Sequence, residues 1–192
     1  MDMLVLLSIC QMFSATLAVD TQNPRQRGAT GELFTVLNTT DKFWLYKRTH
    51  KQDGHECLYW EKVSLSPKEY KFKEVYLAAK RQQKTELTAQ LIMRNDNSAG
   101  SGMKVSGTTE EGTDLEYLLI HWDPSNHCAF FYIEIKEKES IKEQRCDMFM
   151  WNQDVDNEKA LKECAPLYTR YCTYKGEEQV VYNKTCQSFE GC

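Results

Sequence analysis

The chain has 192 residues, of which 41% are hydrophobic and 11% aromatic, enough apolar material for one domain with a substantial core. It contains only 9 Gly and 4 Pro, which excludes collagen-like and low-complexity chains. The net charge of -4, from 24 basic and 28 acidic residues, does not predict a nucleic-acid partner.

The N-terminal 18 residues are predicted to be a secretory signal peptide. Residues 1–18 combine a short apolar run with the small-residue ending Thr16-Leu17-Ala18, and cleavage is expected after Ala18. A membrane-spanning helix needs about 20 apolar residues, and this run is shorter. The alternative is an N-terminal core helix. We expect a secreted, extracellular monomer with no membrane segment and one domain, residues 19–192.

The pattern of elements predicts a mainly β protein. One helical turn or two is expected over 32–37. Eight strands follow over 42–48, 56–63, 70–77, 85–93, 103–106, 115–122, 128–135 and 146–151. Regularly spaced antiparallel strands of this number predict a closed barrel or a sandwich. An eight-stranded barrel either fills with side chains or holds one small ligand.

A helical pattern begins at Asp156 and continues to Cys172, so a helix is expected after the strands. Pro166 lies inside it, and because proline disrupts a continuous helix, the sequence predicts a kink or two short helices. A last short strand is expected over 180–182.

The cysteines also fit an extracellular protein. Removing Cys10 with the signal leaves Cys57, Cys128, Cys146, Cys164, Cys172, Cys186 and Cys192. Their spacing alone does not assign three disulfides and one leftover thiol. No Cys-x-x-Cys pair is present, so disulfides are favoured over zinc. Asn38 and Asn183 each begin a sequon for N-glycosylation.

The sequence contains no motif that predicts catalysis. A Gly-x-Ser-x-Gly elbow, a phosphate loop and a His-Glu-x-x-His pair are all missing, so we expect neither an enzyme nor a cofactor. His50 and His55 flank a charged turn with Asp53, for which a solvated loop is favoured over a metal site.

Two carboxylates stand within apolar strands. Asp147 and Glu116 would need a cationic partner if they faced a dry interior. The alternative for each is an outward-facing, solvated side chain, since strand residues alternate between faces. Aromatic residues such as Trp122 and Phe149 are either ordinary core or rings that contact a cationic ligand.

Four segments, taken in order, resemble the salivary lipocalins of ticks, the family that includes their histamine-binding proteins. They are 122–128, 146–151, 160–164 and 181–186, together with Cys57. The resemblance implies an eight-stranded antiparallel lipocalin barrel with a C-terminal α-helix packed outside. It also implies the disulfides Cys57–Cys186, Cys128–Cys164 and Cys146–Cys172, with Cys192 left over.

In that family the barrel captures host amines or lipids, and the histamine binders hold the amine with inward carboxylates and aromatic rings. One of their acidic positions aligns with Asp147 and a second with Leu118. The loop that supplies another acid is shorter here, around 50–55. The same alignment places Glu116 and Trp122 on the face of Leu118, so Glu116 would replace the missing charge.

The predicted ligand-binding residues are therefore Asp147, Glu116, Trp122, Phe149 and Tyr117. The predicted function is sequestration of a small host amine such as histamine, which would dampen the host's inflammatory defence. The apolar runs 118–120 and 91–93 keep a lipid mediator as an alternative. A second alternative is a filled barrel whose outer surface inhibits a host protein.

Overall fold

The computed structural model describes residues 30–92, 101–137, 140–172 and 177–189; the predicted signal peptide and Cys192 lie outside them. The elements in chain order are α1 (Thr30–Leu37), β1 (Phe43–Arg48), β2 (His55–Leu65), β3 (Glu69–Ala78), β4 (Arg81–Ile92), β5 (Gly102–Ser106), β6 (Glu116–Asp123), β7 (Cys128–Glu137), β8 (Ser140–Trp151), α2 (Glu158–Tyr171), β9 (Gln179–Val180) and a 3₁₀ helix (Lys184–Ser188).

The first eight strands form a closed antiparallel barrel. Strands β2 to β8 follow one another in order, and β1 closes the sheet by pairing with β8 on one side and β2 on the other. The second half of β1 pairs instead with β9, through Lys47 and Arg48. The prediction of an eight-stranded antiparallel barrel is confirmed.

Inward side chains pack as an interior cluster, whose large aromatic members include Phe43, Trp60, Phe72, Tyr117, Phe131 and Phe149. Three residues of α1, Leu33, Val36 and Leu37, join this cluster. The indole N–H of Trp151 donates to the carbonyl of Val36 at 3.0 Å, which fixes α1 against the end of β8. We call this end of the barrel the closed end and the opposite one the open end.

Helix α2 packs outside the barrel, as predicted. Asn157 caps its N-terminus, and its buried face consists of Ala160, Cys164, Tyr168 and Tyr171. The Tyr168 hydroxyl donates to the Cys146 carbonyl at 3.0 Å and so ties the helix to β8.

The predicted break at Pro166 is wrong, because α2 is continuous from Glu158 to Tyr171. A proline removes one helical hydrogen bond. Cys164 and Tyr168, on either side of Pro166, are fully buried, and Cys164 is disulfide-bonded to Cys128 on β7. Tertiary packing thus outweighs the local preference.

Two of the β-bulges in the barrel determine which residues of β1 and β6 face inward. One lies between Leu45 and Lys47 on β1, and it places Arg48 opposite Asp147 on the inner face. The other lies between Leu119 and His121 on β6. Because a bulge adds one residue to a strand, it reverses the inside-outside alternation beyond it.

The three disulfides implied by the resemblance are present: Cys57–Cys186, Cys128–Cys164 and Cys146–Cys172. The first joins β2 to the 3₁₀ helix, and the other two join β7 and β8 to α2 and its C-cap. Within the described ranges, no helix is long and apolar enough to cross a membrane.

Candidate ligand-binding site

Three charged side chains lie inside the barrel towards the open end. Arg48 and Asp147 are fully buried and Glu74 is 1% exposed. Arg48 reaches the interior because of the β1 bulge, and Asp147 lies two residues before the inward Phe149. Glu74 follows the inward Tyr70 and Phe72 at two-residue spacing along β3. Strand geometry therefore aims all three at the same space.

The loop between β5 and β6, residues 107–114, folds over these groups, and we call it the lid loop. Its Thr109 hydroxyl oxygen accepts from the backbone N–H groups of Glu111 and Gly112, both at 3.1 Å. Gly107 and Gly112 adopt φ values of 103° and 150°, which glycine reaches without strain. This compact turn directs Glu110 and Glu111 into the barrel.

Both lid-loop glutamates are held by cations. Arg48 Nη1 lies 2.8 Å from Glu110 Oε2 and 2.8 Å from Glu111 Oε1. Arg145 Nη1 lies 3.2 Å from Glu111 Oε2. His55 Nδ1 and His50 Nε2 approach Glu110 and Glu111 at 2.6 and 2.8 Å. Burial alone would raise the pKa of Glu111, but its contacts with His50 and Arg48 lower it to about 2.

Among the residues that the structure describes, no cation makes a comparable contact with Glu74 or Asp147. Burial raises the pKa of Glu74 to about 7, even though the backbone N–H of Glu110 donates to it at 2.6 Å. Burial, reinforced by the charge of Glu111, raises the pKa of Asp147 well above its ordinary range. Neither Asp147 oxygen has a hydrogen-bond partner among the described residues. Such carboxyls hold a proton or bind a cation.

A layer of aromatic rings lies below these carboxyls. The Trp60 ring is 4.3 Å from that of Phe149 and 5.3 Å from that of Tyr117, centroid to centroid. The indole N–H of Trp60 donates to Glu74 Oε2 at 3.1 Å, so the layer and the acidic group are directly connected. Aromatic faces beside carboxylates suit a cationic, partly apolar ligand.

The structure brings together three of the five predicted ligand-binding residues. Asp147, Phe149 and Tyr117 all face the interior, and burial, reinforced by the charges of Glu111, Glu74 and Asp147, raises the pKa of Tyr117. Trp122 is also interior, but its ring contacts Trp151, 5.2 Å away, beside α1 at the closed end.

The predicted inward face for Glu116 is wrong. Tyr117 and Leu119 face inward, so Glu116 and Leu118 face outward, and Leu118 joins the outer cluster. On the outer face Glu116 lies opposite Lys104 and Glu134. The β6 bulge separates Glu116 from Trp122, because it reverses the alternation between them.

Sequence reasoning missed Glu74 and the three charged residues of the lid contacts, Arg48, Glu110 and Glu111. Trp60 was one of the aromatic candidates but was not among the predicted ligand-binding residues. The alternation Tyr70, Phe72, Glu74 was a usable signal for Glu74. No local signal existed for the others, because a bulge positions Arg48 and the fold of a loop positions Glu110 and Glu111.

Both predicted glycosylation residues, Asn38 and Asn183, are exposed. Asn183 also caps the 3₁₀ helix through its side-chain oxygen, which accepts from Thr185 N at 2.9 Å.

Solved structures with a similar fold include lobster apocrustacyanin A1, at a TM-score of 0.53 and 11% identity, covering 83% of this chain and 88% of that one. Apocrustacyanin C2 has a TM-score of 0.53 and 11% identity, and the match covers 84% of this chain and 92% of that one. The siderocalin Ex-FABP has a TM-score of 0.52 and 11% identity, and the match covers 76% of this chain and 94% of that one. These similarities show a lipocalin fold.

No curated protein matches this sequence. A family model described as tick histamine binding protein matches residues 21–188, a range that includes every described helix and strand. Lipocalins of this type bind small ligands. The chain therefore belongs to the tick histamine binding protein family.

Proposed function

We propose that this protein is secreted and sequesters a small cationic amine, such as histamine, inside the open end of its barrel. Asp147 and Glu74 would contact the ammonium, while Trp60, Phe149 and Tyr117 would contact the rest of the ligand. Removal of the amine would dampen the host's inflammatory defence. Family membership and the three disulfides, typical of extracellular proteins, support this role.

The observation that carries the proposal is the environment of Asp147. Its carboxyl is fully buried, and no described residue donates to either oxygen. Arg48, its partner in strand register, directs its hydrogen bonds to Glu110, Glu111 and Gln179 instead. A buried charge without a partner is costly, so the ionised carboxylate favours an incoming cation. A charge-assisted hydrogen bond contributes about 1.5–3 kcal/mol.

One such bond is not enough for a scavenger. Histamine has roughly eight non-hydrogen atoms, and about 1.5 kcal/mol per atom is the ceiling for very small ligands, which corresponds to near-nanomolar affinity. A site near that limit needs most ligand atoms in contact. Two carboxyls next to an aromatic layer meet this requirement better than Asp147 alone.

An anionic lipid is less well matched to the same groups. The guanidiniums of Arg48 and Arg145 are already hydrogen-bonded to glutamates, so they are not available to a fatty-acid carboxylate. Glu74 and Asp147 would repel that carboxylate when ionised.

The test is calorimetric titration of the secreted, disulfide-intact protein with histamine. We expect submicromolar binding, and a loss of about 30-fold or more in Asp147→Asn, which keeps the shape and removes the charge. Glu86→Gln, which neutralises an exposed carboxylate on β4, is the matched control and should bind like the wild type.

Unchanged histamine affinity in Asp147→Asn would remove that residue from the site. If the folded wild type gives no heat with histamine, the amine proposal fails. The lipid alternative is then tested by titration with a leukotriene or a fatty acid, with binding monitored through the quenching of tryptophan fluorescence.

A further inference from the structure

A cluster of side chains of the types that bind metal ions lies at the open end, where an imidazole and two carboxylates converge. His50, Glu111 and Asp147 each offer one ligand atom, and these atoms all lie within 4.8 Å of one another. They come from the segment after β1, from the lid loop and from β8. This differs from the predicted solvated turn, because the side chain of His50 lies 2.8 Å from the buried Glu111, whereas that of Asp53 is 84% exposed.

The three side chains are withdrawn from solvent. The side chain of His50 is 12% exposed, that of Glu111 is 2% exposed, and Asp147 is fully buried. Across the described ranges, neither Asp147 oxygen nor His50 Nδ1 has a hydrogen-bond partner. An unpartnered, fully buried carboxyl aimed at an imidazole and a second carboxylate indicates a cation that binds all three.

The net charge of the buried groups around these three side chains also favours a divalent cation. Glu74, Glu110, Glu111 and Asp147 are buried carboxyls, and the guanidiniums that contact this group are those of Arg48 and Arg145. With the neighbouring imidazoles of His50 and His55 neutral and all four carboxyls ionised, the described residues of this group carry an excess of two negative charges over the two guanidiniums. A divalent cation balances that excess.

We propose that His50, Glu111 and Asp147 form a three-ligand site for a divalent transition metal of the zinc type. Zinc accepts imidazole nitrogen and carboxylate oxygen at about 2.0–2.2 Å and commonly takes three protein ligands with one open position. The imidazole favours zinc over magnesium or calcium, which prefer oxygen ligands. Arg48 holds Glu111 through Oε1, so Oε2 is the oxygen that faces the metal position; it lies 2.8 Å from His50 Nε2 and 3.2 Å from Arg145 Nη1.

The metal site does not depend on the amine proposal. The two proposals share Asp147, however, so zinc and a cationic amine should compete. His50 belongs to the metal site alone, and this difference allows the two proposals to be tested separately.

The test is calorimetric titration of the metal-free, disulfide-intact protein with Zn²⁺ in a buffer that does not coordinate zinc. We expect one equivalent to bind, and a loss of at least about 10-fold in both His50→Gln and Asp147→Asn. His127→Gln is the matched control, since His127 pairs with a single carboxylate, Asp154, at 2.7 Å. This control should bind zinc like the wild type.

His50→Gln should also keep histamine binding within about threefold of the wild type, because it leaves Asp147 and Glu74 in place. Co²⁺ provides a second readout, since tetrahedral Co²⁺ absorbs visible light strongly and the absorption should disappear in His50→Gln. Failure of the wild type to bind Zn²⁺, or undiminished binding in His50→Gln, overturns the metal site. Zinc binding without histamine binding would overturn the amine proposal alone.

Discussion

At the scale of single residues, the barrel interior contains a carboxyl, that of Glu74, whose pKa the fold raises to about 7. Glu74 accepts hydrogen bonds from Glu110 N and Trp60 Nε1, but burial is the larger influence on its pKa. An apolar side chain would avoid the desolvation cost, so Glu74 lowers the stability of the ligand-free protein. The same desolvation strengthens its attraction for a cation.

The first prediction concerns the pH dependence of stability. The pKa of Glu74 rises from 4.5 to about 7 on folding, so the folded state binds this proton more tightly than the unfolded state. The resulting stabilisation is fully present below pH 4.5 and is lost as pH rises through about 7. Urea unfolding of the ligand-free protein should show this loss, on the order of 3 kcal/mol from Glu74, and Glu74→Gln should show a loss smaller by that amount, with the contribution of Asp147 retained.

Glu86→Gln serves as the control, because Glu86 is exposed on β4 and its loss should leave the wild-type slope unchanged. An identical slope in Glu74→Gln and the wild type would show that another group causes the pH dependence.

At the scale of elements, the lid loop is folded by its own turn hydrogen bonds and also contacts the charged residues of the site. Thr109 forms the turn by accepting from two backbone N–H groups and donating to the Gly112 carbonyl. Glu110 and Glu111 then connect the loop to β1 and β8 through Arg48 and Arg145. An amine bound beside Asp147 therefore leaves the barrel only if these contacts loosen.

The second prediction tests this covering role. Thr109→Val keeps the shape of the side chain and removes its hydroxyl, so the amide protons of Glu111 and Gly112 should exchange faster. Histamine dissociation, followed by stopped-flow fluorescence, should become several-fold faster.

The neighbouring Thr108 provides a matched control. It is exposed, and its hydroxyl contacts that of Thr113 at 3.2 Å. Thr108→Val should leave both rates unchanged. Equal dissociation rates in the two valine variants would mean that the lid loop does not limit ligand escape.

At the scale of the whole molecule, the disulfides connect the barrel to the C-terminal segment. Cys57–Cys186 spans 129 residues and encloses most of the barrel, whereas Cys146–Cys172 spans 26 residues between β8 and the end of α2. In the chain-entropy description, a crosslink stabilises a fold by restricting the unfolded chain, and the effect grows with the enclosed loop.

The third prediction follows from these loop lengths. Replacing Cys57 and Cys186 by serine should reduce the free energy of unfolding by about 5 kcal/mol, and replacing Cys146 and Cys172 by about 3.5 kcal/mol. Urea unfolding of the two double variants measures both losses. A larger loss in the Cys146 and Cys172 variant would show that local packing against α2, rather than loop closure, dominates.

Local periodicity was sufficient for much of this architecture. Period-two runs of β-branched and aromatic residues located all eight barrel strands, and the helical period located α2, because both signals come from side chains that share one face. The inward position of Asp147 agrees with alternation against Phe149. Pro166 shows the limit, since a local preference for a break gives way to buried neighbours and a disulfide.

The sequence pattern by itself therefore determined the order of elements and the presence of acids within apolar strands, and the family resemblance selected the barrel over the sandwich. The tertiary structure alone decided which of those acids share a site. Bulges on β1 and β6 bring Arg48 inside and place Glu116 and Trp122 on opposite faces, and one extra residue in a strand suffices for such a reversal. The lid loop adds Glu110 and Glu111 through contacts with side chains distant in sequence, which no local pattern encodes.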